Sequence, residues 1–343
     1  MKKILSVVAG IAGVCCALQA QGVSGLEESE AGGIQFDAGA DLRIRQEIMH
    51  NVPTMPYGMM GRPGVYRNKT KNQIRFRPRV WAEVKFGDHW RLYGRLVDEF
   101  RAGIVQKTHA QTWPGEVLVD NLYLEGTHLM DGVFFDEGWV DVVAGRQDIH
   151  GLYGLNHIFV DGTSGDGSRT TFADMVRLAI HVDEDSWLDL FGMINKDREY
   201  MRLGTKRSQR GTQLTGFGGN DTEMDDWGFG AVWNSKFTLD GGESERALPV
   251  NYQLFFIQKD TASFHRRGVK HPRRQVNLIG AKLVPHWTQN LSTPLEAMVQ
   301  VGENGANEDL TAWAGYAGVE WKDMDRKTWR PFVGTGLLVL SGD

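Results

Sequence analysis

From Ile34 to Phe100 the sequence alternates apolar and polar residues almost without a break, in three long runs. The apolar positions of the first run lie between Ile34 and Ile44, and those of the second between Ile74 and Phe86. A period of two is typical of β-strands whose two faces meet different surroundings. Each run is about 12 residues long or longer, against five or six in globular proteins, and a tilted strand crosses a bilayer in about 9–11. The pattern therefore predicts an all-β fold, an antiparallel transmembrane β-barrel.

Further alternating runs follow, joined by links that are alternately long and short, as in barrels with long extracellular loops and short periplasmic turns. With the first three runs they predict about 13 strands. The later ten lie near 117–126, 139–147, 172–182, 186–195, 225–235, 247–259, 275–284, 294–302, 310–321 and 329–340. Pro78 interrupts the second run, and because proline removes one ladder hydrogen bond we expect a bulge there.

The N-terminus predicts export from the cytoplasm. Residues 1–20 read as a signal peptide, with Lys2 and Lys3 before an apolar stretch and Ala20 before the cleavage point. Both cysteines of the chain, Cys15 and Cys16, lie within it. The mature protein would then contain no disulfide and no cysteine metal site. We expect residues 21–33 to be a flexible periplasmic lead-in and residues 34–343 to form one barrel domain.

The polar face of the first three strands is rich in basic residues. Nine basic residues share this face with five acids, Asp37, Asp41, Glu47, Glu83 and Glu99; the nine are Arg43, Arg45, Arg75, Arg77, Arg79, Lys85, Arg91, Arg95 and Arg101. In a water-filled lumen such a ladder lowers the electrostatic barrier to anions, and arginine binds carboxylates bidentately. The alternative is that the arginines pair with acids across strands and stiffen the wall.

Short motifs occur between Val142 and Leu178. Gly145-Arg146-Gln147 ends one strand, a glycine-rich loop follows, and the next strand runs from Thr171-Phe172 to Val176-Arg177-Leu178. In these motifs the chain resembles the alginate export family of bacterial outer-membrane barrels, and its closing Ser341-Gly342-Asp343 is similar to the start of a later loop of that family. The resemblance implies about 18 strands around a basic lumen that passes a uronate polyanion. It also adds Arg146 and Arg177 to the candidate lumen residues.

More strands follow this last motif in the family, and our strand count is odd where an even number is usual. We therefore expect the chain to stop before the barrel is complete. The sequence contains no zinc-protease, nucleophile-elbow or nucleotide-binding motif. It thus gives no indication of catalysis, of a cofactor or of nucleic-acid binding.

These observations predict a passive pore of the bacterial outer membrane for an anionic, alginate-like polysaccharide or other polar anionic solutes. One alternative is a general or oligosaccharide porin. Another, of a different class, is a barrel that serves as a surface adhesin or scaffold. The basic segments Lys196 to Arg210 and His265 to Arg274 would then bind anionic polymers or the phosphates of lipopolysaccharide at the outer rim.

Overall fold

The computed structural model describes residues 18–21, 33–50, 70–98, 100–103, 117–133, 138–148, 172–195, 202–203, 226–239, 248–266, 269–305, 308–323 and 332–341. Within these ranges every regular element is a β-strand and every pairing is antiparallel, which confirms the predicted all-β antiparallel class. No helix in this part of the chain is long and apolar enough to span a membrane.

The long strands coincide with the alternating runs of the sequence, and β4 and β5 together make the third run, whereas the short strands β1, β10, β13, β14 and β16 lie outside the runs. The strands are β1 (Leu18–Gln21), β2 (Ile34–His50), β3 (Thr70–Phe86), β4 (Trp90–Val97), β5 (Phe100–Gly103), β6 (Val117–Leu129), β7 (Val140–Asp148), β8 (Phe172–His181), β9 (Trp187–Asn195), β10 (Arg202–Leu203), β11 (Asp226–Leu239), β12 (Leu248–Thr261), β13 (Phe264–Arg266), β14 (Val269–His271), β15 (Arg274–Pro285), β16 (Leu291–Ser292), β17 (Leu295–Asn304), β18 (Glu308–Lys322) and β19 (Phe332–Leu340).

The long strands pair in chain order, as in a meander. β2 pairs with β3, β3 with β4 and β5, β4 with β6, and the series continues through β7, β8, β9, β11, β12, β15, β17 and β18 to β19. Three short strands pair with long strands outside the series: β1 with β2, where Leu18 lies opposite Ile44, β10 with β6, where Arg202 lies opposite Leu118, and β16 with β18, where Leu291 lies opposite Trp321. The ladder of β1 spans the predicted cleavage point after Ala20.

The two faces of the sheet differ as the alternation predicts. Val80 is 56% exposed, whereas Arg77 and Glu83 on the other side of the same strand are 8% and 9% exposed. We call the first side the outer face and the second the inner face. Large apolar side chains are exposed along the outer face, among them Ile34, Phe36, Leu92, Leu122, Val176, Leu254, Ile279, Val299, Trp313 and Leu337.

Several aromatic side chains lie directly opposite a glycine of the neighbouring strand. The indole of Trp81 covers Gly39, so that a Cβ added to this glycine would lie 2.7 Å from Cζ2 of the ring. A ring set over a paired glycine shields the bare backbone and fixes the pairing of the two strands. The same relationship holds for Phe191 over Gly230, Phe255 over Gly280 and Trp90 over Gly126.

The prediction of a bulge at Pro78 is wrong. The ladder between β2 and β3 passes through Leu42 and Pro78 without a shift, and β3 keeps one register with β4 and β5. The irregularity instead lies on the partner strand, which breaks at Asp98, and the backbone N–H of Asp98 donates to the Pro78 carbonyl at 3.2 Å. Since proline has no N–H to donate, the facing strand opens at this point without inserting a residue.

The register does shift at two other places. Asp120 is an extra residue of β6, inserted opposite the step from Arg95 to Leu96 of β4, and a second shift lies between Gly126 and Leu129. The segment 260–274, which the sequence analysis assigned to a long link, contains the end of β12 and the small hairpin of β13 and β14. The other predicted long links lie outside the described residues, except for β10 and the parts that extend neighbouring strands.

Candidate lumen surface

The basic residues predicted from the first three runs fall on the inner face in successive cross-strand rows. Lys85 lies opposite Arg91, and nearer the long-link end Asp41 lies opposite Arg79 and Arg43 opposite Arg77. The backbones of Arg45, Arg75 and Arg101 form the next row, although their side chains lie outside the described part of the structure. The period-two pattern thus brings these residues together on one wall.

Two of these arginines pair with carboxylates on neighbouring strands. Nε of Arg79 lies 2.9 Å from Oδ1 of Asp41, and a terminal nitrogen of Arg95 lies 2.8 Å from Oδ2 of Asp120. Nε of Arg95 also donates to Asp120, at 2.9 Å, so this contact is bidentate. The side chain of Asp120 is only 1% exposed. The bulge that inserts Asp120 into β6 therefore supplies a buried counter-charge for Arg95.

Arg91 is surrounded by acids and aromatic rings. Its guanidinium contacts Glu125 at 2.5 Å and Glu83 at 3.2 Å. The guanidinium carbon also lies 5.7 Å from the ring centroids of both Tyr93 and Tyr123, within the range of a cation–π interaction. Lys85 completes the group, with its ammonium 3.3 Å from Glu83.

A second polar network crosses β8, β9, β11 and β12. Arg177 contacts Oδ1 of Asp189 at 2.6 Å, and the other carboxylate oxygen accepts hydrogen bonds from Trp187 at 3.1 Å and Asn234 at 2.9 Å. Gln253 in turn donates to the side-chain oxygen of Asn234. Arg177 is therefore placed on the inner face, and its charge is matched by a carboxylate that is almost fully buried.

Arg146 has a different position from the other candidates. It lies opposite Leu122 and Asp174, in the row that continues to Ile194, which is 56% exposed on the outer face. Its Nε donates to Asp174 at 2.7 Å and a terminal nitrogen donates to the Val119 carbonyl at 3.1 Å. The register thus places Arg146 in a row of the outer face near the long-link end, apart from the inner-face candidates with which the sequence grouped it, and its side chain is held against β6 and β8.

The charges of this surface are largely matched. Carboxylates contact each of the inner-face candidates Arg79, Lys85, Arg91, Arg95 and Arg177. This arrangement corresponds to the alternative in which arginines pair with acids across strands. The described wall is therefore a polar surface of alternating charge, and its cations do not form an isolated ladder.

The inner face also carries a hydrophobic cluster that the sequence analysis did not predict. It extends over β8, β9, β11, β12 and β15 and consists of Ala173, Met175, Phe191, Met193, Val232, Phe255, Ile257, Val276 and Leu278, none more than 9% exposed. A signal for it exists in the sequence, because Leu254-Phe255-Phe256-Ile257 is apolar at four successive positions. Such a run places apolar residues on both faces of the strand.

Alternating histidine and tryptophan rings form a row at the short-turn end of the same face. His128 stacks on Trp139 at 4.6 Å, Trp139 on His181 at 4.3 Å, and His181 on Trp187 at 5.8 Å, measured between ring centroids. Asp141 links the first and third members, since its carboxylate accepts a hydrogen bond from the backbone N–H of His128 at 2.9 Å and lies 3.0 Å from Nε2 of His181. These residues are far apart in the sequence and no motif indicated them.

Only part of the second basic segment is described. Arg273 contacts Asp260 through both its Nε and a terminal nitrogen, and this carboxylate raises the pKa of the Arg273 guanidinium. Arg273 is 62% exposed whereas Asp260 is 2% exposed, so the cation remains available to solvent at the long-link end. Among the described side chains, no group of three or more His, Cys, Asp or Glu residues is arranged to hold a metal ion.

Comparisons with known proteins give a likeness of structure and no relative by sequence. No family model matches the chain, and no curated protein matches it. Among solved structures, the chain is similar to OprB of Pseudomonas putida in a high-pH structure, with a TM-score of 0.45 and 10% sequence identity. The match covers 90% of this chain and 76% of OprB.

Proposed function

We propose that this chain forms an outer-membrane β-barrel pore through which polar solutes pass. The observation that carries the proposal is the division of the sheet into an exposed apolar face and a polar, ion-paired face. In hydrocarbon every backbone polar group needs a partner, so strands cross a bilayer only as a closed barrel. The apolar face would contact lipid and the polar face would line the lumen. Residues 1–20 would direct export, and residues 21–33 would lead into the barrel.

The dimensions of the strands and the position of aromatic residues support a membrane location. β11 and β12 have 14 residues each, more than the 9–11 needed for a tilted crossing. On the outer face, Trp227 and Phe229 are 44% exposed toward the long-link end, and Phe237 and Trp321 are 40% and 39% exposed toward the short-turn end. Two such belts are expected where strands meet the two interfaces of a bilayer.

The matched charges of the wall favour small polar solutes and weak ion selectivity. A passing solute would meet guanidinium groups and carboxylates side by side, as in the pairs Arg79–Asp41 and Arg95–Asp120. Since opposite charges at such distances cancel at longer range, the described wall attracts neither sign strongly. We therefore favour a general or oligosaccharide pore.

The anionic polysaccharide remains the second candidate, and one feature of the register supports it. Arg43 lies opposite Arg77, and in the next row Arg75 lies between Arg45 and Arg101. Like charges directly opposite each other destabilise a sheet, and a polyanion along this part of the wall would reduce that repulsion. A uronate chain would supply carboxylates for bidentate contacts.

Single-channel recording in planar bilayers tests both candidates. A polar pore gives discrete conductance steps, whereas an adhesin or scaffold without an open lumen gives none, which would overturn the proposal. The ratio of anion to cation permeability then separates the two pores. Replacing Arg75, Arg77 and Arg79 together by Gln should lower a marked anion preference at low salt and have less effect at 1 M, where the screening length is about 3 Å. A ratio near one that this change does not alter would support the weakly selective pore.

A further inference from the structure

Three aromatic side chains lie next to one another on the inner face, across three strands. The ring centroids of Trp81 on β3 and Tyr93 on β4 are 6.2 Å apart, and those of Tyr93 and Tyr123 on β6 are 5.2 Å apart. The ring planes of these two contacts are inclined by only 21° and 28°. All three side chains are half-buried, so each keeps part of its surface exposed. We call these three residues the aromatic strip.

Hydrogen-bonding groups of fixed orientation surround the aromatic strip. A terminal nitrogen of Arg91 donates to the Tyr123 hydroxyl at 3.1 Å while the same guanidinium is held by Glu83 and Glu125. Arg91 is 31% exposed and Glu125 is 20% exposed, so both remain within reach of a solute. Because each ion pair restrains its partners, donors and acceptors are already in place before a ligand arrives.

We propose that the aromatic strip is a binding site for uncharged sugars on their way through the pore, an inference that rests on the function proposed above. The C–H groups on one side of a pyranose ring carry a slight positive charge and are attracted to the negative face of an aromatic ring. Sugar hydroxyls donate to carboxylates and accept from guanidinium groups. The aromatic strip and its paired ions offer all three contacts in one place.

The charge around the aromatic strip favours an uncharged ligand over a uronate. In the strand pairing around the aromatic strip, four basic residues and five acidic residues lie close to it. The basic residues are Arg79, Lys85, Arg91 and Arg95, and the acidic residues are Asp37, Asp41, Glu83, Asp120 and Glu125. An anionic sugar would be repelled by these acids and would compete with them for the arginines. A neutral sugar bonds to both kinds of group without displacing either. The arginine rows at Arg43 and Arg77 are a separate feature of the wall.

Blockage of the ion current by a neutral sugar tests the site. Maltotriose added to the reconstituted full chain should interrupt the current in brief events whose frequency rises with concentration. Trp81→Leu should weaken the apparent affinity about tenfold, as expected for the loss of an aromatic contact, and Trp81→Tyr should retain most of it. The matched control is Trp227→Leu, since Trp227 lies on the outer face and is 44% exposed there. It should leave blockage unchanged.

The outcomes separate this inference from the pore itself. Absence of any conductance would overturn the pore, whereas normal conductance without blockage by maltotriose would overturn the sugar site alone. Stronger blockage by trigalacturonate than by maltotriose at low salt would overturn the preference for uncharged ligands. If Trp81→Leu does not fold, Tyr123→Leu is measured in its place. Wild-type affinity in that variant would show that the aromatic strip binds no sugar.

Discussion

Gly230 lies directly opposite Phe191 in the ladder between β9 and β11, and the phenyl ring occupies the space where a side chain at residue 230 would be. A Cβ at this position would lie 2.7 Å from Cε1 of Phe191 and 2.8 Å from the carbonyl oxygen of Phe256. Neither neighbour can move easily, because Phe191 belongs to the buried cluster and Phe256 pairs in the next ladder. The glycine is therefore required by the packing of its neighbours.

Gly230→Ala should lower the free energy of unfolding by about 1–3 kcal/mol, the usual cost of overpacking. The measurement is the urea midpoint of the chain folded into lipid vesicles. Gly192→Ala is the matched control, because Gly192 lies in the adjacent row and a Cβ there would meet nothing within 4 Å. Equal midpoints for the two variants would contradict the structural role of the ring over Gly230.

The ion pair of Arg95 and Asp120 should be sensitive to loss of one partner. Arg95→Gln leaves the carboxylate of Asp120 buried without its cation, and we expect a loss of about 3–5 kcal/mol. Adding Asp120→Asn removes the buried charge, so the double variant should regain much of the lost stability. The unfolding free energies of the wild type, the two single variants and the double variant form a double-mutant cycle that gives the coupling energy.

A solvent-exposed ion pair provides a comparison for the coupling energy of Arg95 and Asp120. Nζ of Lys236 lies 2.6 Å from Asp185, but the two side chains are 51% and 60% exposed. The coupling energy of that pair should be about 1 kcal/mol or less. If both cycles gave the same small coupling, the burial of Asp120 would have no energetic consequence.

The outer face should reject a charge that the inner face accepts. Val299 is 48% exposed on the outer face and Gln300, its neighbour in β17, points to the other side. Val299→Arg should cost about 2–4 kcal/mol in a bilayer if its depth is near the midplane. Gln300→Arg should cost much less, because its side chain would reach water. The fraction of heat-modifiable, folded protein on a gel after refolding into vesicles measures both.

Chemical labelling tests the same assignment without changing a charge in the bilayer. The side chain of Lys85 is 51% exposed on the inner face and Val80 is 56% exposed on the outer face. A small charged thiol reagent should modify Lys85→Cys and not Val80→Cys in vesicles. A lipid-soluble maleimide should give the reverse order. Modification of Val80→Cys by the charged reagent would place that face in water and contradict the membrane assignment.

Most of the fold could be predicted from alternation alone, because a face toward lipid and a face toward a polar interior impose a strict period of two. The long strands fall where the runs fall, and even the break at Asp98 coincides with a residue that is out of step. The hairpin of β13 and β14 was missed because three-residue strands carry no periodic signal. Proline at residue 78 predicts an irregularity at this point of the sheet, but it does not determine whether its own strand bulges or the facing strand is interrupted.

The candidate site was less predictable, because its contacts join residues on different strands. The sequence identifies Arg91 and Arg95 as inner-face residues, but only the register brings Glu125 and Asp120 against them. The count of nine basic residues against five acids covers only the first three runs and omits Asp120 and Glu125 of β6. It therefore overestimates the excess of positive charge on this part of the inner face. The aromatic strip was missed for the same reason, since Tyr123 stands next to Tyr93 in space and far from it in sequence.

The rings that lie over glycines also carry information that alternation lacks. A slip of two residues between paired strands leaves every side chain on its proper face, so the hydrophobic pattern alone tolerates it. Such a slip would set Phe255 against Leu278 or Lys282 instead of Gly280, and Trp81 against Asp37 or Asp41 instead of Gly39. Each wrong pairing forces a ring onto a side chain and leaves a glycine uncovered. During assembly, the space above each of these glycines thus accepts the aromatic ring of the neighbouring strand only when the two strands are paired in the native register.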